Sequence, residues 1–256
     1  MTLRNFDLKE EVRSYWNARA ESFDKSPGHC IRTPREFEAY ERLIRRQAPG
    51  IVGGEVMDVA SGTGEVTRLL RRLGCRVTGV DLSADMVSRA REKHAGDPEV
   101  DFIEGDTEYL LFADESFDGI VCRNLIWTLT DHAAAFAEWR RVLKPGGTVV
   151  AFEGNWMKPD RLSRLLRRMA TKLGRRIETD QPDFTACLAQ LPFRDGLTPQ
   201  VLTPLLTAAG FARPAFHPIP GVKLAQLGRA NWPERCSLLS YARGRFMMVA
   251  RRPEES

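Results

Sequence analysis

The sequence predicts an α/β fold built on a doubly wound, mostly parallel seven-stranded sheet. Three observations predict it. From Glu55 onward, short apolar runs alternate with segments of helical periodicity. The stretch VMDVASGTGEV at 56–66 passes from an apolar run into a loop of small residues and then into an acid-led helix. Asp58, Asp81 and Asp106 stand at or near the ends of three successive apolar runs. Right-handed crossovers place those ends along one edge, where ligands bind.

The 256 residues suit one large α/β domain with a small subdomain. The net charge of +4 is mild, so nucleic acid is not the expected partner. The N-terminal MTLRNFDLKEEVRSYW has no apolar signal-peptide core, and no run approaches the roughly 18 apolar residues of a membrane span. The five cysteines (30, 75, 122, 187 and 236) are widely spaced, odd in number and free of CxxC. Reduced thiols in a cytoplasmic protein are expected, with neither a disulfide framework nor a metal site. The sequence specifies neither monomer nor homodimer.

Residues 1–50 read as a helical lid. In KEEVRSYWNARAESFD, Val12, Tyr15, Trp16, Arg19 and Phe23 fall three and four apart on one aromatic-rich face. After the break SPGH, a second helix is expected over Pro34 to Arg46, with Thr33 as N-cap and Pro34 at the first position. Residues 51–153 read as the α/β core. EVMDVA is a strand, GEVTRLLRRLG a helix closed by Gly74, CRVTGVD a strand, and SADMVSRAREKH a helix capped by Ser83. VDFIEGD and FDGIVCRN are strands, DHAAAFAEWRRVLKPGG is a helix closed by Pro145 and Gly146, and TVVAFEG is the fifth strand. Residues 154–197 read as a cap insertion over the active edge, with a basic amphipathic helix at RLSRLLRRMATKLGRR. Residues 198–256 return to the core through a helix at LTPQVLTPLLTAAG and strands at AFHPIP and RFMMVARRP.

The glycine loop lacks the third glycine of a dinucleotide motif, because Ala60, Gly62, Gly64 and Thr67 fit no register of it. Glu65 also places negative charge in the first turn of the helix, where a pyrophosphate would sit. A ligand with a positive centre and no phosphate fits better. S-adenosylmethionine (SAM) is such a ligand. Asp58 can face its ammonium, and Gly62 and Gly64 allow close backbone approach. Asp81 can accept from both ribose hydroxyls. Asp106, with Thr107 beside it, can take the adenine amino group, and Leu82 and Met86 can cover the adenine faces. Arg123 and Asn124 end the fourth strand under the reacting centre.

The order D-x-A-x-G-x-G, then VDLSADMVSRAR, then EGDTEYLLFADESFDGIVCRN, then RVLKPGGTVV resembles the class I SAM-dependent methyltransferases of the type 11 branch. The resemblance covers about residues 11 to 153. It implies a Rossmann-like methyltransferase fold, SAM as methyl donor with S-adenosylhomocysteine as product, and cofactor contacts that include Ala60 and Gly105. Ala60 stands where the family often has glycine, which is tolerable if that residue keeps a negative φ. Tyr15 or Trp16 on the lid is expected to touch SAM. Phe23, Trp127 and Trp156 are expected to line the acceptor pocket.

The sulfonium is a good leaving group, so alignment of the nucleophile carries most of the chemistry. A general base is needed only for a nucleophile that is protonated at working pH. His29 and Glu153 are the candidates, against an exposed turn histidine and a loop-positioning carboxylate respectively. His132 is read as starting a surface helix and His217 as half-buried and structural. The expected function is methyl transfer to an N, O, S or C nucleophile of a small metabolite. The alternatives are a catalytically silent SAM-binding partner, an RNA or lipid methyltransferase using the basic insertion, and an NAD-dependent oxidoreductase.

Overall fold

A computed structural model describes residues 3–26, 28–155, 161–172, 184–193, 196–242 and 244–254. The chain opens with helices α1 (Leu3–Arg19) and α2 (Pro34–Gln47). At α2, Thr33 and Glu36 form a reciprocal capping box ahead of Pro34, as the sequence predicts. Strand and helix then alternate through β1 (Glu55–Val59), α3 (Glu65–Arg72), β2 (Arg76–Asp81), α4 (Ala84–Lys93), β3 (Val100–Glu104) and β4 (Phe117–Arg123). Next come α5 (His132–Val142), β5 (Leu143–Glu153), α6 (Arg161–Lys172), α7 (Thr185–Leu188), α8 (Pro199–Ala208), β6 (Ala215–Pro218), α9 (Pro220–Arg229), α10 (Trp232–Ala242) and β7 (Phe246–Arg251).

The seven strands form one sheet in the order β3-β2-β1-β4-β5-β7-β6. β1 to β5 pair in parallel, and β7 runs antiparallel to both β5 and β6. The central strands are buried on both faces, and alternate residues sort to opposite sides. Met57, Val59, Ile120 and Cys122 join the core under α5, with Phe136 and Trp139. Val56, Val121 and Val150 join the core under α2 and α3, with Tyr40, Ile44, Leu69 and Leu70. Each fully buried large apolar side chain contributes roughly 1.5–3 kcal/mol.

Two boundaries differ from the sequence reading. α5 stops at Val142 rather than running through the Lys-Pro-Gly-Gly, because Leu143 already pairs with Phe117 and β5 begins there. The segments 220–229 and 232–242, which carry no expected element, are α9 and α10, and α10 packs on α6 and α9. His132 starts α5 as expected but is buried rather than superficial. Its Nε2 lies 3.0 Å from the Ile126 carbonyl and its ring 3.9 Å from that of Phe193. Among the described residues, no helix is long and apolar enough to cross a membrane.

Candidate functional site

A cavity of about 370 Å³ opens at the C-terminal edge of the parallel strands, beneath α1. This is the size and place expected of a small-molecule site in a doubly wound sheet. Its floor starts at the loop after β1. Ala60, Gly62 and Gly64 all take left-handed backbone conformations, with φ of 54°, 54° and 79°. The negative φ expected at Ala60 is therefore incorrect. Alanine in that region costs about 1–2 kcal/mol, a strain that the surrounding structure has to hold. The loop is held by hydrogen bonds from Ser61 N to the Val80 carbonyl and from Gly64 N to the Ser61 carbonyl. Asn124, which follows β4 at φ 60°, also lines the cavity.

Asp81 lines the cavity at the end of β2. Its Oδ2 accepts from Gly62 N at 2.7 Å and its Oδ1 from Ser83 N at 2.9 Å. Burial pushes its pKa up to about 6 against these backbone hydrogen bonds. Asp58 is 1% exposed and is not part of the lining. Its Oδ2 accepts from the Thr67 hydroxyl at 2.7 Å, while its buried Oδ1 has no hydrogen-bond partner among the described residues. Burial raises its pKa to about 7, opposed by the Thr67 hydrogen bond and the Arg123 charge.

After β3, Asp106 and Thr107 line the cavity, as do Leu82 and Met86 beside β2 and α4. Trp139, fully buried on α5, fixes this loop by donating Nε1 to the Thr107 carbonyl. Asp106 is already engaged: Oδ2 accepts from Lys9 Nζ at 2.5 Å and Oδ1 from Glu108 N. Lys9, on α1, also reaches Glu108 Oε2 at 2.7 Å, and Glu108 Oε1 accepts from Thr130 N and Asp131 N. One lysine thus ties α1 to the loops after β3 and β4.

α1 and the turn after it form the roof. Tyr15, Trp16, Arg19, Phe23 and His29 all line the cavity. Phe23 packs its ring 5.9 Å from Trp16 and 4.4 Å from His29. The roof is fastened to the floor. Asp24 accepts from the Thr63 hydroxyl and from Lys93, Ser83 Oγ donates to Asn17 Oδ1, and Ile31 N donates to Glu65 Oε2 at 2.9 Å. Burial works against the charge of Glu65. The Lys93 ammonium, the Ile31 N–H and the Arg68 charge nevertheless hold its pKa down to about 2. The acid that sits where a pyrophosphate would bind is thus a strut between lid and core.

Arg123 and Trp127 line the wall after β4, and Arg123 also donates Nη2 to the His29 carbonyl. Glu153 is 1% exposed and lies outside the lining. Its Oε1 accepts from both Leu125 N and Ile126 N at 2.8 Å, which is the loop-positioning arrangement. Gly64 and Gly105 also lie outside the lining; Gly105 N donates to the Asp81 carbonyl. Trp156 lies outside the described residues. Several lining residues were not singled out as site residues: Lys9, Arg19, Ser26, Glu108, Leu238 and Arg245. Arg19 had a signal, its place on the aromatic face of α1. Leu238 and Arg245 had none, since they arrive from the C-terminal segment.

Comparison with known proteins agrees with this geometry. Residues 57–151 match the model of a methyltransferase domain. The demethylmenaquinone methyltransferase of Chlorobaculum parvum is 36% identical over 113 residues, 44% of this chain and 46% of that protein. The malonyl-[acyl-carrier protein] O-methyltransferase of Pectobacterium atrosepticum is 38% identical over 138 residues, 53% of this chain and 52% of that protein. The chain spans about half the length of these curated relatives. The structure of phosphoethanolamine N-methyltransferase 2 of Haemonchus contortus, in complex with SAM, superposes with a TM-score of 0.65 at 17% identity. The match covers 97% of this chain and 60% of that one, and shows a shared fold.

Proposed function

We propose that this chain, whose residues 57–151 match a methyltransferase domain, is a class I SAM-dependent methyltransferase that moves a methyl group from SAM to a small-molecule acceptor. The observation that carries the reading is the pair of buried acids around the glycine loop. Asp81 lines the cavity and grips Gly62 N, while Asp58 holds a buried oxygen with no hydrogen-bond partner among the described residues.

The residues present fit SAM. The unpartnered Oδ1 of Asp58 suits an ammonium, reached directly or through a water. Each oxygen of Asp81 accepts one backbone hydrogen bond and can take a second from a ribose hydroxyl. Leu82 and Met86 offer apolar cover for adenine, and Asp106 can share its carboxylate between Lys9 and the adenine amino group. Arg19 lines the cavity beside Ser26, whose Oγ it holds at 3.1 Å, and meets the methionine carboxylate.

Bound there, the sulfonium supplies an activated methyl group. The chain's own residues bind, orient and exclude water. Tyr15, Trp16 and Phe23 roof the cavity, and Trp127 walls its acceptor side. Alignment of this kind can supply roughly 7–11 kcal/mol of the barrier. His29 is the imidazole on the lining that can take a proton if the acceptor arrives protonated. The curated relatives' names point to acceptors other than nucleic acid.

The test is incubation of the protein with SAM and a small-metabolite extract, followed by mass spectrometry. The reading expects S-adenosylhomocysteine and a product heavier by one methylene. SAM binding without S-adenosylhomocysteine release would instead leave a silent SAM-binding protein.

A further inference from the structure

Charge is segregated along the cavity by the strand order. The lining carboxylates Asp81, Asp106 and Glu108 follow β2 and β3, and Lys9 engages the last two. On the other side of β1, the wall after β4 carries Arg123 and Trp127, and Arg245 enters just before β7, two strands beyond β4.

Two donors on this second side are unsatisfied. Arg123 Nη1 and Trp127 Nε1 are buried and make no hydrogen bond among the described residues. Both residues line the cavity. A buried donor without an acceptor is costly, and structures keep few of them. Arg123 keeps its other terminal nitrogen on the His29 carbonyl, which holds the guanidinium in place. Arg245 is buried and steadied by Gln226 and Tyr40. A neutral acceptor would leave the Arg123 guanidinium, with its Nη1 unbonded among the described residues, on the same cavity wall as the cofactor's sulfonium. An anionic one supplies the opposite charge.

We propose that the methyl acceptor carries an anionic oxygen group, a carboxylate or a phosphate, gripped by Arg123 Nη1 and Trp127 Nε1 with Arg245 alongside. The inference rests on the SAM reading above, in which Arg19 takes the cofactor's own carboxylate. The rest of the acceptor is apolar or aromatic, because Phe23, Trp127 and Leu238 border the same space.

The test uses the full chain saturated with S-adenosylhomocysteine, titrated calorimetrically with benzoate, phenyl phosphate and neutral benzamide. At least one anion is expected to bind at least about tenfold more tightly than benzamide, since charge-assisted hydrogen bonds are the strong ones. Whether that anion is benzoate or phenyl phosphate separates carboxylate from phosphate. Trp127→Phe, which removes one donor and keeps the ring bulk, is expected to weaken the anion about tenfold. It should leave benzamide and S-adenosylhomocysteine within about twofold. Arg245→Gln, checked for folding by thermal melting, is expected to weaken the anion likewise. Equal binding of benzamide and both anions overturns the proposal. So does a Trp127→Phe variant that loses S-adenosylhomocysteine affinity while keeping the anion, since the donors would then serve the cofactor. Failure of the SAM reading is told apart from these, because S-adenosylhomocysteine binding is read before any anion is added.

Discussion

The Gly62 amide donates to Oδ2 of Asp81 at 2.7 Å, locking the loop after β1 to the acid that ends β2. Two adjacent parallel strands, registered through Val59 and Val80, deliver these groups side by side. The bond occupies one lone pair of the carboxylate on Oδ2, and Ser83 N occupies one on Oδ1, leaving each oxygen capacity for a second donor. Gly62 takes a φ of 54°, a left-handed backbone that glycine adopts without strain, and its N–H points to the end of β2.

The two raised acids are expected to make SAM binding pH-dependent. Their ligand-free pKa values, about 7 for Asp58 and about 6 for Asp81, lie above the ordinary aspartate value. An ammonium and a ribose diol favour the ionised forms, so binding expels protons. SAM affinity is expected to rise from pH 5.5 to pH 8, with proton release greatest between about pH 6 and 7. Calorimetry in buffers of different ionisation enthalpy checks this, and Asp58→Asn should abolish most of the release.

The same shifts set the sign of a stability effect in the ligand-free protein. Both folded pKa values exceed the unfolded value, so the folded state holds more protons between about pH 4 and 7. These two groups therefore make the fold less stable as pH rises through that window. Urea unfolding at pH 5 and pH 7.5 measures it, and Asp58→Asn should flatten the difference.

Gly64 is expected to tolerate no side chain. Its φ is 79°, and an added Cβ would lie 2.7 Å from His94 Nε2 and 3.1 Å from Phe102 Cζ. Gly64→Ala should cost about 2–4 kcal/mol in chemical denaturation. Gly96→Ala, at φ 88° but with open space around it, should cost only the backbone strain of about 1–2 kcal/mol.

Glu153 separates positioning from proton transfer. Its Oε1 accepts from two backbone N–H groups, and a glutamine oxygen can do the same. Glu153→Gln is expected to stay within about 1 kcal/mol of wild type. Glu153→Ala should lose roughly 2–4 kcal/mol by leaving two buried donors unpaired. Equal losses in urea titrations would remove the positioning role.

Lys9 is the latch of the roof. Lys9→Met leaves Asp106 and Glu108 facing each other without their shared cation, so α1 should open more often. Hydrogen exchange should show α1 losing protection while β1, β4 and β5 keep theirs.

The sheet was legible because its signals are local: apolar runs of strand length, caps at Thr33 and Ser83, and acids at strand ends. Part of the cavity lining is legible for the same reason, since Ala60, Gly62, Asp81 and Asp106 lie within one βαβαβ stretch. The left-handed φ of Ala60 was not, because tertiary hydrogen bonds to β2 impose it against the residue's own preference. Nor was the engagement of Asp106 by Lys9, a pairing across 97 residues. Arg245 reaches the cavity lining just before β7, which folds back antiparallel beside β5, and no local pattern announces that. Glu65 was read as a negative charge against phosphate. Its partners Ile31 and Lys93, which make it a strut, come from the lid and α4.

Calorimetric titration of SAM into the wild-type and Asp81→Ala proteins asks whether Asp81 and the glycine loop hold SAM. The wild type is expected to bind one equivalent and the variant to bind at least about tenfold more weakly, with its fold intact by circular dichroism. Unchanged SAM affinity in Asp81→Ala, or tighter binding of NAD than of SAM by the wild type, would contradict it.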